Sequence, residues 1–164
     1  MRNKLSRLTF IRFGQAMSQT WSHDDFNELD WCNSKIHGIA FGCAAEKTGS
    51  VSFDIDYVLA WDKPQPDSPN YRVASASLVF RDVSNLQISI NCLKMHDGSK
   101  NQPSHPIRIS SIDRKSCPPD DTMNSWLISF YDMEGDIRFE STGFQQTLTS
   151  EIVNCHSKIN RIAG

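Results

Sequence analysis

Long apolar runs are missing from this chain. No stretch approaches the roughly 18 apolar residues that a bilayer-spanning helix needs. A dominant charge is missing too. Against 17 Lys and Arg stand 19 Asp and Glu, a formal net charge of −2. That balance gives no push toward nucleic acid or an anionic membrane surface. The phosphate-cradling loops G-x-x-x-x-G-K-[ST] and G-x-G-x-x-G do not occur, which excludes nucleotide binding by those devices. Neither G-x-S-x-G nor H-E-x-x-H is present, so two common routes to nucleophilic and zinc hydrolysis are gone as well. Internal repeats, low-complexity blocks and heptads are also lacking.

Cysteine is present without a pattern. Cys32, Cys43, Cys92, Cys117 and Cys155 are scattered, odd in number and never in a C-x-x-C pair. This usage fits reduced thiols in a cytosol better than a disulfide framework. The expectation is a cytoplasmic protein with five free thiols, no cofactor and no bound metal. Cys92-x-x-x-His96 and Cys155-His156 are the nearest approaches to zinc-ligand pairs. Neither has a second half at ligand spacing, and neighbouring residues in a strand point to opposite faces.

What is present is a chain of 164 residues, one domain by ordinary size and long enough to bury a proper core. Arg2, Lys4, Arg7 and Arg12 precede any acid, but Arg12 interrupts L-T-F-I-R-F, so no secretory signal is implied. The globular pattern begins near Trp21. Residues 1–16 are then an appendage, with Met17 an alternative start, or an extra edge strand carrying Leu8 and Phe10.

The chain is organised around Trp31 to Trp61, read as two neighbouring strands at 36–41 and 51–60 joined by a turn at 46–50. Val51, Phe53, Ile55, Tyr57 and Leu59 share one face of the second strand, and Ser52, Asp54 and Asp56 share the other. Ahead of this pair, Ser22 is placed to cap a short helical turn, with Asp24 and Asp25 in its first turn. The segment 61–70 holds three prolines and reads as a loop. Tyr71 to Phe80 reads as a strand, R-D-V-S-N as a bend, and 86–90 as a strict period-2 strand. Ile107, Ile109 and Ile112 mark another. Residues 126–142 form the clearest hairpin, with Gly135 supplying the turn's positive φ. The tail from about Thr149 reads either as loose chain after a strand or as a C-terminal helix. Leu86 and Ile88 are expected in the core beside Val51, Phe53, Ile55, Trp126 and Ile128.

Short strands separated by Gly- and Pro-bearing loops, without a crossover helix, predict an all-β or mainly β fold. An antiparallel sandwich or partly open barrel with minor helix is the expected closure.

The stretch also resembles a family of bacterial proteins with no known activity. They share a Trp, then I-H-x-I-x-F, then D-I-D-Y and a Trp, followed by L-V-F and V-x-x-L-x-I. The matching residues are Trp31, Ile36, His37, Ile39 and Phe41; Asp54, Ile55, Asp56, Tyr57 and Trp61; and Leu78, Val79, Phe80, Val83, Leu86 and Ile88. The resemblance covers roughly residues 21–90. It implies a bacterial cytoplasmic origin and a shared fold, and no chemistry.

Candidate site residues come from the same stretch. Asp54 and Asp56 emerge from one strand face about 7 Å apart, from a rise of ~3.3 Å per residue. His37, if it faces the same way, completes a carboxylate–imidazole group. The plainer reading is a structural polar cluster, and it is the one adopted. Trp31, Tyr57 and Trp61 are candidate aromatic contacts for a partner, against a plain role in the core. Three functions follow. The first is a non-catalytic cytosolic module that binds another protein, with bacterial immunity proteins as one type. The second is a β-barrel carrying a small ligand against Tyr57, Trp61 or Trp126. The third is a metal-dependent enzyme centred on His37, Asp54 and Asp56. Neither nucleic acid nor membrane is expected as a partner.

Overall fold

The computed structural model describes residues 19–43, 49–61, 70–91, 107–116, 122–131 and 133–156, without the side chains of Cys43, Trp61, Asn70 and His156. The expectations for residues 1–16, the turn at 46–50, the proline loop after Trp61 and Cys92, His96 and Cys117 lie outside these residues.

The protein is all-β. Strand β1 (Thr20–Ser22) leads into a 3₁₀ turn (His23–Glu28). Then follow β2 (Lys35–Cys43), β3 (Gly49–Trp61), β4 (Asn70–Asn91), β5 (Ile107–Ser116) and β6 (Asn124–Phe130). The chain continues through β7 (Glu134–Ser141), β8 (Gly143–Leu148) and β9 (Val153–His156). Strands β4, β3, β2, β5, β6 and β7 are joined in that order, and β7 pairs back onto β4, closing a six-strand antiparallel barrel. Strand β8 lies on β4 outside this circuit, with β1 on its far edge, and β9 pairs with the start of β4.

Alternation decides what goes inside. Val51, Phe53, Ile55 and Tyr57 of β3 oppose Phe80, Leu78, Ala76 and Ala74 of β4, and all eight are buried. Trp126, Ile128 and Phe130 of β6 face Ile137 and Phe139 of β7 in the same layer. Small barrels fill their interior with side chains, and here aromatic rings do much of the filling. Phe80 packs edge-on to Trp126 at 5.0 Å and Phe139 at 4.7 Å between ring centres. Ala74 and Ala76 are the small residues that leave room on β4.

The 3₁₀ turn closes one flank. Asp25 accepts the Ser22 backbone N–H at 2.8 Å and its hydroxyl at 3.3 Å, fixing the entry into the turn. This seats Phe26 against Trp31, Trp126 and Phe144. Arg114 stacks its guanidinium 4.6 Å from the Phe26 ring centre and donates to the His23 carbonyl, holding the turn to β5.

Three expectations need correction. The R-D-V-S-N bend does not end a strand, because β4 runs unbroken through 22 residues. Asp82 and Asn85 take positive φ there (53° and 52°), as these residue types tolerate best. Thr142 donates to the Asp82 carboxylate at 2.9 Å, and Ser84 and Asn85 both donate to Glu140. The kink therefore moves one edge of β4 from β8 onto β7.

The same kink explains the second correction, since Leu86 and Ile88 are 37% and 45% exposed. Strand β3 ends its pairing at Gly49 opposite Val83. Beyond that point β4 has β7 as its one neighbour among the described residues, so its apolar face is uncovered there. Third, Gly135 does its work inside β7. Its φ is 152°, and a Cβ there would overlap the Ser89 carbonyl oxygen of β4. After Thr149 the chain forms β9 rather than a helix as far as His156.

Candidate functional site

His37 owes its position to one extra residue. Ile36 pairs with Ile55 and Gly38 with Asp54, so two steps on β2 match one on β3. His37 is the bulged residue, and bulges re-aim a side chain off the regular alternation. The imidazole lands on the outer face of the barrel, where Nε2 meets the Asp56 carboxylate at 2.8 Å. Asp56 also accepts a long hydrogen bond from the Ser75 hydroxyl of β4 at 3.5 Å. Both partners keep contact with water, His37 at 52% and Asp56 at 34% of their side-chain area.

Asp54 is exposed two residues earlier, opposite Gly38. With Ser52 and Ser77 it borders a shallow groove of about 420 Å³ across β2, β3 and β4. Among the described residues, no group of three or more His, Cys, Asp or Glu side chains converges as a metal shell would require. Of the two aspartates that His37 could face, Asp56 is the one it meets.

Two of the candidate aromatics lie elsewhere. Trp31 is 4% exposed, and its indole N–H donates to Gln146 Oε1 at 2.6 Å inside the core. Tyr57 is 5% exposed and packs edge-on to Trp21. Burial pushes the Tyr57 phenol above its ordinary pKa, countered in part by a hydrogen bond from the Asp30 backbone. Neither ring is on the surface, which removes both from any contact face. Trp61 lies on β3 opposite Tyr71, with its side chain outside the described residues.

A second groove was not anticipated. It has a volume of about 210 Å³ and lies on the outer face between β5, β2, β3, β4 and β9. Val58 and Val73, paired across β3 and β4, form its apolar part. Asn33, Lys35, Asp56 and Arg108 border it on one side, Tyr71 and Cys155 on the other. The Tyr71 phenol is pushed up in pKa, first by burial and then by the Cys155 thiol beside it.

Above this groove, Cys32 Sγ lies 3.3 Å from the Tyr131 hydroxyl, and Arg108 rests 5.7 Å from the Tyr131 ring centre. The Tyr131 phenol is pushed up, chiefly by that contact with Cys32. Cys32 and Cys155 are free thiols. Lys35 was not singled out in the sequence, although it lies two residues before His37. Nor was Arg108, because only the β2–β5 register brings it opposite Lys35.

Compared with protein families, characterised proteins and solved structures, the chain finds no match. Site and function therefore rest on geometry.

Proposed function

We propose that this chain is a non-catalytic protein-binding module of a bacterial cytosol, acting as an immunity protein does by holding another protein. One observation carries the reading: the barrel interior is filled, and polar side chains of β2 and β3 stand on its outer face. Phe53, Phe80, Trp126, Ile128, Ile137 and Phe139 are each at most 2% exposed and occupy the interior. His37, Asp54 and Asp56 stand on the outer face beside two open grooves. A small-ligand carrier needs an enclosed pocket of about 300–1,000 Å³. The interior positions that would line one are taken by packed rings. A metal enzyme needs about three converging protein ligands, and His37 with Asp56 supplies two. A wide polar sheet face with shallow relief suits a protein surface better than either.

The cytosolic part of the proposal draws on the thiols, and the bacterial part on the family resemblance. No helix among the described residues is long and apolar enough to cross a membrane. The test is reconstitution. Proteins crosslinked to the chain in its native cells are purified separately and recombined with it. A defined complex with micromolar or tighter affinity is expected, weakened by substitutions on the β2–β3–β4 outer face. Turnover of any substrate by the chain alone, or a small molecule retained at one per chain, refutes the proposal.

A further inference from the structure

The far half of β4 is a strand edge without the usual guards. Past Val83 the strand has β7 on one side and, among the described residues, no strand on the other, because β3 ends its pairing at Gly49. Leu86, Gln87, Ile88 and Ser89 are exposed in an unbroken run, Leu86 at 37% and Ile88 at 45%. Free edges in soluble proteins are commonly blunted by lysine, proline or an inward-pointing charge. Residues 86–90, L-Q-I-S-I, carry none of these. The register shift on β4 lies before Gln87, and from there the pairing with β7 is regular. The charges opposite Gln87 and Ser89 on β7 are Arg138 and Asp136, which pair with each other at 2.8 Å.

The same five residues have one pattern in both directions. About Ile88, Leu86 mirrors Ile90 and Gln87 mirrors Ser89. An antiparallel strand of the same sequence, centred there, sets Ile88 against Ile88, Leu86 against Ile90 and Gln87 against Ser89. Directly opposed residues share a sheet face, so apolar side chains meet on one face and amides meet hydroxyls on the other. No like charges oppose each other. We infer that this edge pairs with the same edge of a second copy, across a two-fold axis at Ile88, joining two barrels through one continuous sheet. A foreign strand would need this pattern, and a second copy has it by construction. The contact is isologous, uses up the free edge of both copies and stops at two. Five paired residues make a small interface, at the weak end below about 1,200 Å², so the dimer follows protomer concentration. It does not rest on the protein-binding reading, since His37 and Asp56 stand on β2 and β3.

The test is sedimentation velocity on the full chain from about 5 to about 500 micromolar, a range that separates a weak dimer from its monomer. Amide NMR shifts over the same series give the location. We expect reversible association that ends at two copies, with shifts centred on residues 86–90. Ile88→Lys and Ile88→Glu each place like charges across the axis and should weaken association at least tenfold, with circular dichroism unchanged because Ile88 is already exposed. An equal mixture of those two variants sets Lys against Glu and should associate at least fivefold more tightly than either alone. Ile152→Lys, at another exposed isoleucine, should change association less than twofold.

A monomer at every concentration overturns the pairing. So do species growing beyond two copies, shifts confined to other residues, or equal losses at Ile152. Failure of the mixture to regain association overturns the two-fold axis at Ile88, and this arm decides even if one variant is less stable than the parent chain. A chain that stays monomeric while its 86–90 amides shift with a reconstituted partner assigns the edge to that partner instead, and leaves the protein-binding reading standing.

Discussion

Two phenylalanines on the β2–β3–β4 sheet separate the inside of the barrel from its rim. Phe80 is fully buried and Phe41 is 59% exposed, although each lies opposite Val51 of β3, from either side. Phe80 has ring neighbours Phe53 at 6.1 Å, Trp126 at 5.0 Å, Phe139 at 4.7 Å and Phe144 at 5.9 Å. Truncating it to alanine removes the lost transfer energy and leaves a cavity among four rings that cannot easily collapse. Core Phe→Ala changes cost about 3–5 kcal/mol, and this site belongs at the upper end because it joins β6, β7 and β8 to β3. Against a total stability of about 5–15 kcal/mol, that is a large share. Phe41→Ala gives up a ring that water already reaches and should cost under about 1 kcal/mol. The assay is urea unfolding followed by tryptophan fluorescence, compared at constant m. Equal losses for the two variants, or less than about 1 kcal/mol for Phe80→Ala, would refute the assignment of barrel interior and rim.

Three further outcomes follow from the same geometry. Gly135→Ala should lower stability by about 1–3 kcal/mol, seen as a drop in melting temperature, because its φ of 152° and the Ser89 carbonyl both exclude a Cβ. His37→Ala should cost no more than about 1 kcal/mol, since its contact with Asp56 is half-exposed; a larger loss in urea unfolding would mean the contact is structural in earnest. Burial raises the Tyr57 phenol above its unfolded value of about 10, so the folded chain holds that proton more tightly. Its contribution is complete below pH 10 and is lost as pH climbs toward the folded value, so Tyr57→Phe should flatten the alkaline arm of a stability–pH curve.

The strands were legible wherever one face is buried along its whole length. The alternation of Val51, Phe53, Ile55 and Tyr57 fixed β3 and its orientation, and Trp126, Ile128, Ile137 and Phe139 did the same for the hairpin. The period also misled. Leu86, Ile88 and Ile90 alternate as cleanly as β3 does, yet the strand runs past the end of its β3 neighbour. Alternation reports that a strand has two unlike faces. Whether anything covers the apolar one depends on the lengths of its neighbours, which the segment itself does not encode. Trp31 and Tyr57 were ambiguous for a related reason, since an aromatic at the edge of a strand pattern suits a core and a contact surface equally.

The site was readable in residue type and unreadable in register. His37 reached Asp56 because β2 carries a bulge at that point, and nothing in I-H-G-I announces one beyond the glycine that follows. Without the bulge, His37 would alternate with Ile36 and pair one step along, changing which aspartate it met and turning later residues to the opposite face. The bulge thus does two things at once. It lets Ile36 and Ile39 both point toward the core, three residues apart instead of two or four, and it releases His37 to the outer face. The same device recurs on β5, where a register shift between Ile109 and Ser111 brings Ile109 and Ile112 inward together. Among the described residues these two strands pair at Lys35–Arg108 and Ile36–Ile107. With a bulge on each of these two strands, the polar outer residues of β2 and β5 are placed by where the ladder breaks.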